Sequence, residues 1–272
     1  MKNYLKKFFL VYLFSIMAIY LFGFLLLSNF SSFPLGITSI VNMPGFLSLF
    51  NLLLLPFVIF HLAHRFKKYS ILFILLSISI SFVCELNGMY NFIPIGSSYS
   101  YSNLLGTKLL GLPLGVILGW LITIYCSFSI TNLLFDKKTV YLAFFDALIA
   151  TSLDLVIDPI MTSIGAWKWS TTNGYLGIPL SNYLLWFFIV LMTCSIFRLI
   201  ISRKKMTENR CRTKLEKIWL ISPAIIYVFT FIQLSMLAYI LERFDVILIG
   251  LLSSQTIALI AIMRFYEKYW VK

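Results

Sequence analysis

Apolar stretches of about 20 residues recur along this chain, and no other feature constrains its fold as tightly. They fall at roughly 8–27, 46–63, 70–86, 112–131, 140–158, 180–201, 218–240 and 246–263, and each can cross about 30 Å of hydrocarbon with slight tilt. The bilayer interior has no water for the backbone, so such stretches must be helices that satisfy their own N–H and C=O groups. The expected fold is all-α: a polytopic transmembrane helical bundle of about eight spans, forming a single integral-membrane domain over residues 1–272. Composition agrees, with 60% of residues hydrophobic against roughly 45–50% in soluble domains. The N-terminal run is too long for a signal peptide and is expected to be a retained first helix.

Charge predicts the orientation. Of the 22 lysines and arginines, only Lys108, Lys168 and Arg243 fall in the loops on one side. The rest lie at the termini and in the alternate loops, most densely between Arg198 and Lys217. The positive-inside rule then places both termini in the cytoplasm and the protein in the plasma membrane. The net charge of +12 reads as topology and contact with lipid headgroups, not as a nucleic-acid surface. Cys84, Cys126 and Cys194 lie in apolar runs and Cys211 in a basic loop, without metal or disulfide spacing.

The residues from Asp154 to Trp186 break this pattern. Asp154 and Asp158 end one apolar run. A carboxylate at a helix centre costs roughly 2.5–3.5 kcal/mol when charged. Positions i and i+4 share a helix face, and Pro159 is expected to end the helix. A loop with Trp167, Trp169 and Tyr175 follows, and a new span begins at Pro179 with Asn182 just inside it.

An earlier segment echoes this one. Gly111-Leu112-Pro113-Leu114 leads to Trp120 as Gly177-Ile178-Pro179-Leu180 leads to Trp186. Tyr99-Ser100-Tyr101 stands where Trp167-Lys168-Trp169 stands, and Glu85 stands where the aspartates stand. The echo predicts a parallel internal repeat with a site between its halves. Chance recurrence is the alternative, since proline is common at helix starts. The two long outer loops, about 87–111 and 159–179, are expected to fold back over the mouth of the bundle.

The candidate catalytic residues are therefore Asp154, Asp158 and Glu85, with Tyr99, Tyr101, Trp167, Trp169, Tyr175, Asn87 and Asn182 as candidate substrate-binding residues. Burial and like-charge crowding keep one acid of such a group protonated beside an ionised one. With aromatic walls, that pair suits protonation of an electron-rich alkene, cation–π support of the carbocation, and attack by water. This chemistry calls for neither a metal nor a redox cofactor. Plain structural roles compete: the acids could pair with Lys108 or Lys168, Asn87 and Asn182 could cap helices, and Trp120 and Trp186 could be interfacial anchors. His61 and His64 are expected at the interface, and Asp136 and Asp146 as loop or packing residues. Glu242 and Asp245, flanking Arg243, are expected as a solvated group.

The runs ELNGMYNFIPIGSSYSYSNLLGTKLLGLPLGVILGW and FDALIATSLDLVIDPIMTSIGAWKWSTTNGYLGIPLSNYLLW resemble integral-membrane carotenoid biosynthesis proteins, which include bisanhydrobacterioruberin hydratase and related carotene hydratases. The resemblance covers about 85–190; the remaining spans are similar only in hydropathy. It implies cofactor-independent addition of water to the terminal isopropylidene double bond of an acyclic carotenoid, giving a tertiary alcohol. The implied partners are a hydrophobic carotenoid, the lipid bilayer and other membrane enzymes of the pathway, with no nucleic acid. Two other readings stand beside it. Asp154-x-x-x-Asp158 matches one acidic motif of membrane prenyltransferases, but a first Asp-rich motif is lacking. A proton-coupled transporter would also use intramembrane acids, though few polar residues line spans one, two, six and eight.

Overall fold

A computed structural model describes residues 2–29, 45–93, 96–136, 139–202 and 213–271. The first outer loop, the basic loop after residue 202 and Cys211 lie outside the described residues. The long helices are α1 (Lys2–Asn29), α2 (Phe46–Phe66), α3 (Tyr69–Tyr90), α4 (Leu114–Leu134), α5 (Leu142–Ser163), α6 (Leu180–Ser202) and α7 (Lys214–Ile240). The last span is interrupted: α8 (Phe244–Gly250) and α9 (Thr256–Tyr266) are joined by a π-helical turn over Leu251–Gln255. Four short strands lie in the two long loops: β1 (Tyr99–Tyr101), β2 (Lys108–Leu109), β3 (Leu112–Pro113) and β4 (Trp167–Trp169).

Among the described residues, seven helical stretches are long and apolar enough to cross a membrane. The protein is thus an all-α, multi-pass membrane bundle. The exception among the eight expected spans is α5. Its 22 residues have the length, but Asp146, Asp154 and Asp158 lower its hydropathy. It solves the problem by position: all three aspartates are buried, and α5 packs against α4, α6, α7 and α8. Pro159 does not end this helix, contrary to expectation. The helix runs on to Ser163, whose hydroxyl donates to the Pro159 carbonyl at 2.7 Å. Packing on all sides holds the turn where proline removes one backbone donor.

The centre of the bundle is α4, buried continuously from Trp120 to Thr131. A helix apolar on every face has no lipid-facing preference and is stable where other helices surround it. It meets α2 through two glycines. Ser48 Oγ donates to Leu105 O at 2.7 Å and Asn51 Nδ2 to Gly115 O at 3.0 Å. A Cβ on Gly115 would lie 2.0 Å from Ser48 Oγ and 2.9 Å from its Cα. Small residues let helix backbones approach where no water drives them together. Gly115→Ala is therefore expected to destabilise the protein by about 1–3 kcal/mol, read as a lower thermal midpoint in detergent. Gly119→Ala, with Asn51 Nδ2 as nearest neighbour at 3.1 Å, should cost less.

On α3 the buried positions are Ser70, Phe73, Ser77, Ser81 and Glu85. They form one stripe at helical spacing, so Glu85 faces the bundle by the same register that buries three serines. The two long loops meet as strand partners. Tyr99 pairs with Trp169, Ser100 with Lys168 and Tyr101 with Trp167. The two segments that echo each other in sequence are thus antiparallel strand partners over the end of the bundle.

This packing corrects one structural expectation and bears out others. His61 is buried, not interfacial; its Nε2 donates to the Trp219 carbonyl at 2.8 Å and its Nδ1 accepts from Tyr125. Asp146 is no loop residue and forms a buried ion pair with Arg198. Asp136, in contrast, lies in a loop and pairs with Lys268 and Arg264 at the surface. Arg243 and Asp245 make an exposed pair at 3.0 Å.

Candidate active site

The β1–β4 ribbon carries aromatic side chains onto the ends of α3 and α5. Glu85 accepts three hydrogen bonds there. Its Oε2 accepts from the Tyr99 and Tyr101 hydroxyls, the latter at 2.7 Å, and its Oε1 accepts from Trp120 Nε1 at 2.6 Å. Burial, followed by the adjacent carboxylate, pushes both phenols well above the ordinary tyrosine value, so they stay protonated as donors. Three donors around one carboxylate suit its ionised form.

The second acidic element is the pair on α5. Asn182, from the first turn of α6, donates from Nδ2 to Asp154 Oδ2 at 3.0 Å and also to Asp158 Oδ2. Asp154 is fully buried and Asp158 is 3% exposed. Trp167 lies beside Asp158. No lysine or arginine among the described residues forms an ion pair with Glu85, Asp154 or Asp158. The expected alternative partner Lys108 instead donates to Tyr101 O at 2.8 Å and to Asn103 Oδ1 at 3.2 Å, and Lys168 is exposed. Asn182 is more than a helix cap, because its amide ties the two aspartates together.

Other sequence candidates are placed differently. Asn87 does not approach the acids; it closes a turn by bonding both the N–H and the C=O of Ile93. The Trp169 ring lies tilted against that of Tyr99 at 4.7 Å, and Tyr175 packs edge-on to Tyr183 at 5.7 Å. Trp120 is buried rather than interfacial, and its ring lies 4.0 Å from that of Trp186. The repeated spacing from Gly-x-Pro-Leu to tryptophan was the signal that marked both. Gly88 carried no such signal. A Cβ there would fall 2.5 Å from the Tyr99 ring and 2.7 Å from its hydroxyl, so the glycine is what lets Tyr99 reach Glu85.

On the far side of Trp120 and Trp167 from the acids is an apolar cavity of about 480 Å³, within the range of small-molecule sites. Ile19, Phe50, Thr123, Ile157, Met161 and Phe229 contribute to its walls, and Trp120, Trp167 and Trp186 to the same lining. Trp120 and Trp167 thus touch the cavity on one side and the acids on the other. Ile19 and Leu49, at its rim, are exposed on the lipid-facing surface.

A family model described as carotenoid biosynthesis protein matches residues 46–256. The chain belongs to that family. No curated protein and no solved structure matches it. The match runs from the start of α2 to the start of α9, well beyond the 85–190 core expected from motifs. In this carotenoid biosynthesis protein, α2 and α7, expected to share only hydropathy with the family, fall inside the family pattern and line the cavity. Only α1 among the cavity-lining helices falls outside the match.

Proposed function

We propose that the protein is a cofactor-independent carotenoid hydratase, adding water to a terminal isopropylidene double bond of an acyclic carotenoid. The observation that carries this reading is the set of three buried carboxylates with no ion-pair partner among the described residues, walled by tryptophan and tyrosine beside an apolar cavity. Two carboxylates bridged by one amide relieve their repulsion by sharing a proton, which makes the pair a proton source for an alkene. Protonation at the less substituted carbon gives a tertiary cation. Trp120 and Trp167 offer it aromatic faces, and cation–π contact in a desolvated site contributes about 2 kcal/mol. The ionised Glu85 adds a fixed negative charge nearby. A cavity of this size holds an end group, with the polyene extending toward lipid past α1 and α2. The skew of lysine and arginine supports placing the strand loops on the outer face of the plasma membrane, with both termini in the cytoplasm.

Expression of the full chain in a lycopene-producing host tests this reading. The expected result is a pigment heavier by one water per modified end. Unmodified lycopene beside folded, membrane-inserted protein would sink the assignment. Release of diphosphate with a magnesium requirement would favour prenyl transfer instead.

A further inference from the structure

Beside the acid pair, four buried polar atoms have no hydrogen-bond partner among the described residues: Asp154 Oδ1, Tyr183 Oη, Tyr175 Oη and Trp169 Nε1. Three of them belong to one packed group that includes Leu155, the residue after Asp154. Trp169, Tyr183 and Ile178 pack together, with Tyr175 and Leu155 against them. Tyr183 follows Asn182, whose amide bonds both aspartates, and its ring packs edge-on to Tyr175 at 5.7 Å. The contrast with Glu85 is local, since there every facing phenol and indole is used. An unpaired buried polar group costs about 1–3 kcal/mol, and native structures satisfy nearly all of them. A buried water makes about three hydrogen bonds, and the unpaired oxygen of Asp154 and the unpaired donors of the adjoining aromatic cluster can supply them.

We propose that Asp154, Tyr183, Tyr175 and Trp169 form the binding site for the reacting water, separate from the apolar chamber that holds the alkene. None of the four lines that chamber, and neither does Asp158, but its neighbour Trp167 does and links Asp158 to it. The inference rests on the hydration reading and divides the two aspartates. The alkene π electrons take the proton from the Asp158 carboxyl, forming a C–H bond and leaving a tertiary cation and the Asp158 carboxylate. A lone pair of the water oxygen forms the C–O bond, and the excess proton passes to the Asp154 carboxylate. The pair gives up one proton and regains one, so the sum is alkene plus water to alcohol. Residues 170–174, which follow Trp169 directly, are exposed, so water arrives from the loop side and carotenoid from the lipid side.

The test uses membranes containing the full chain, loaded with lycopene in deuterated water. Alcohol is measured by mass, and so is deuterium in the recovered lycopene. A cation that loses a proton before capture returns as alkene carrying deuterium. For Tyr183→Phe and Trp169→Phe, each checked for unchanged thermal midpoint, the expected result is an alcohol yield at least about tenfold lower with deuterium exchange retained, as the loss of one water-positioning hydrogen bond implies. An unchanged ratio of alcohol to exchange in both variants overturns the water site, as does loss of both signals together. Wild-type membranes yielding neither signal overturn the hydration reading itself.

Discussion

Asp158→Asn is expected to lower alcohol formation by at least about 100-fold, the range of a lost general acid. The amide is close in shape to the carboxyl and still presents an oxygen to Asn182, which donates to that position in the native protein. The fold is therefore retained while the transferable proton is lost. Asp154→Asn lowers the alcohol similarly. The two differ in deuterated water: loss at Asp158 stops exchange into lycopene, whereas loss at Asp154 leaves it running. Pigment mass analysis of both variants, normalised to the amount of folded protein, checks the outcome. Full product from both would remove the acid pair from the chemistry.

The second large effect is on stability and lies far from these acids. Arg198→Ala is expected to destabilise the protein by about 3–5 kcal/mol, because it leaves a buried carboxylate without its cation. Arg198 Nε and Nη2 each reach one oxygen of Asp146 at 2.6 Å. The guanidinium also lies 4.2 Å over the Phe128 ring, and its Nη1 donates to Asn132 at 3.3 Å. Both members of the pair are sealed from solvent, at 2% and 0% exposure. The double variant Arg198→Met with Asp146→Leu should recover most of the loss, since an apolar pair of similar size removes the unpaired charge. Denaturation in detergent of the single and double variants measures both. Recovery no greater than the single variant would mean that the pair serves more than charge balance.

The two acid groups in this bundle differ in a way that bears on their use. Asp146 is neutralised in place by Arg198 and locks α5 to α6. Asp154 and Asp158, two and three turns further along the same helix, receive only an amide from α6. A charge that is fully compensated serves packing. One left with a neutral donor beside aromatic walls remains available to move a proton.

Much of this was legible in the sequence. The apolar runs specify the spans because hydrophobic length is a local property that the bilayer reads directly. The stacking of Asp154 on Asp158 follows from helical periodicity alone. The echo between Tyr99–Tyr101 and Trp167–Trp169 marked two loops that the structure joins as strands. Beyond this point local pattern is silent. That Trp120 is a ligand of Glu85 rather than an interfacial anchor depends on how α4 is rotated against α3, across 35 residues of chain. That Asn182 bridges two aspartates, that Arg198 belongs to Asp146 and that His61 is buried against Tyr125 are likewise contacts between helices. Periodicity chooses a helix's face, but the neighbour met by that face is decided by interhelical packing. The sequence by itself determined a multi-pass bundle with acids and aromatics near one end. Only the tertiary structure decided which acid each aromatic serves, and it did so through close helix contacts such as that of Gly115 with Ser48.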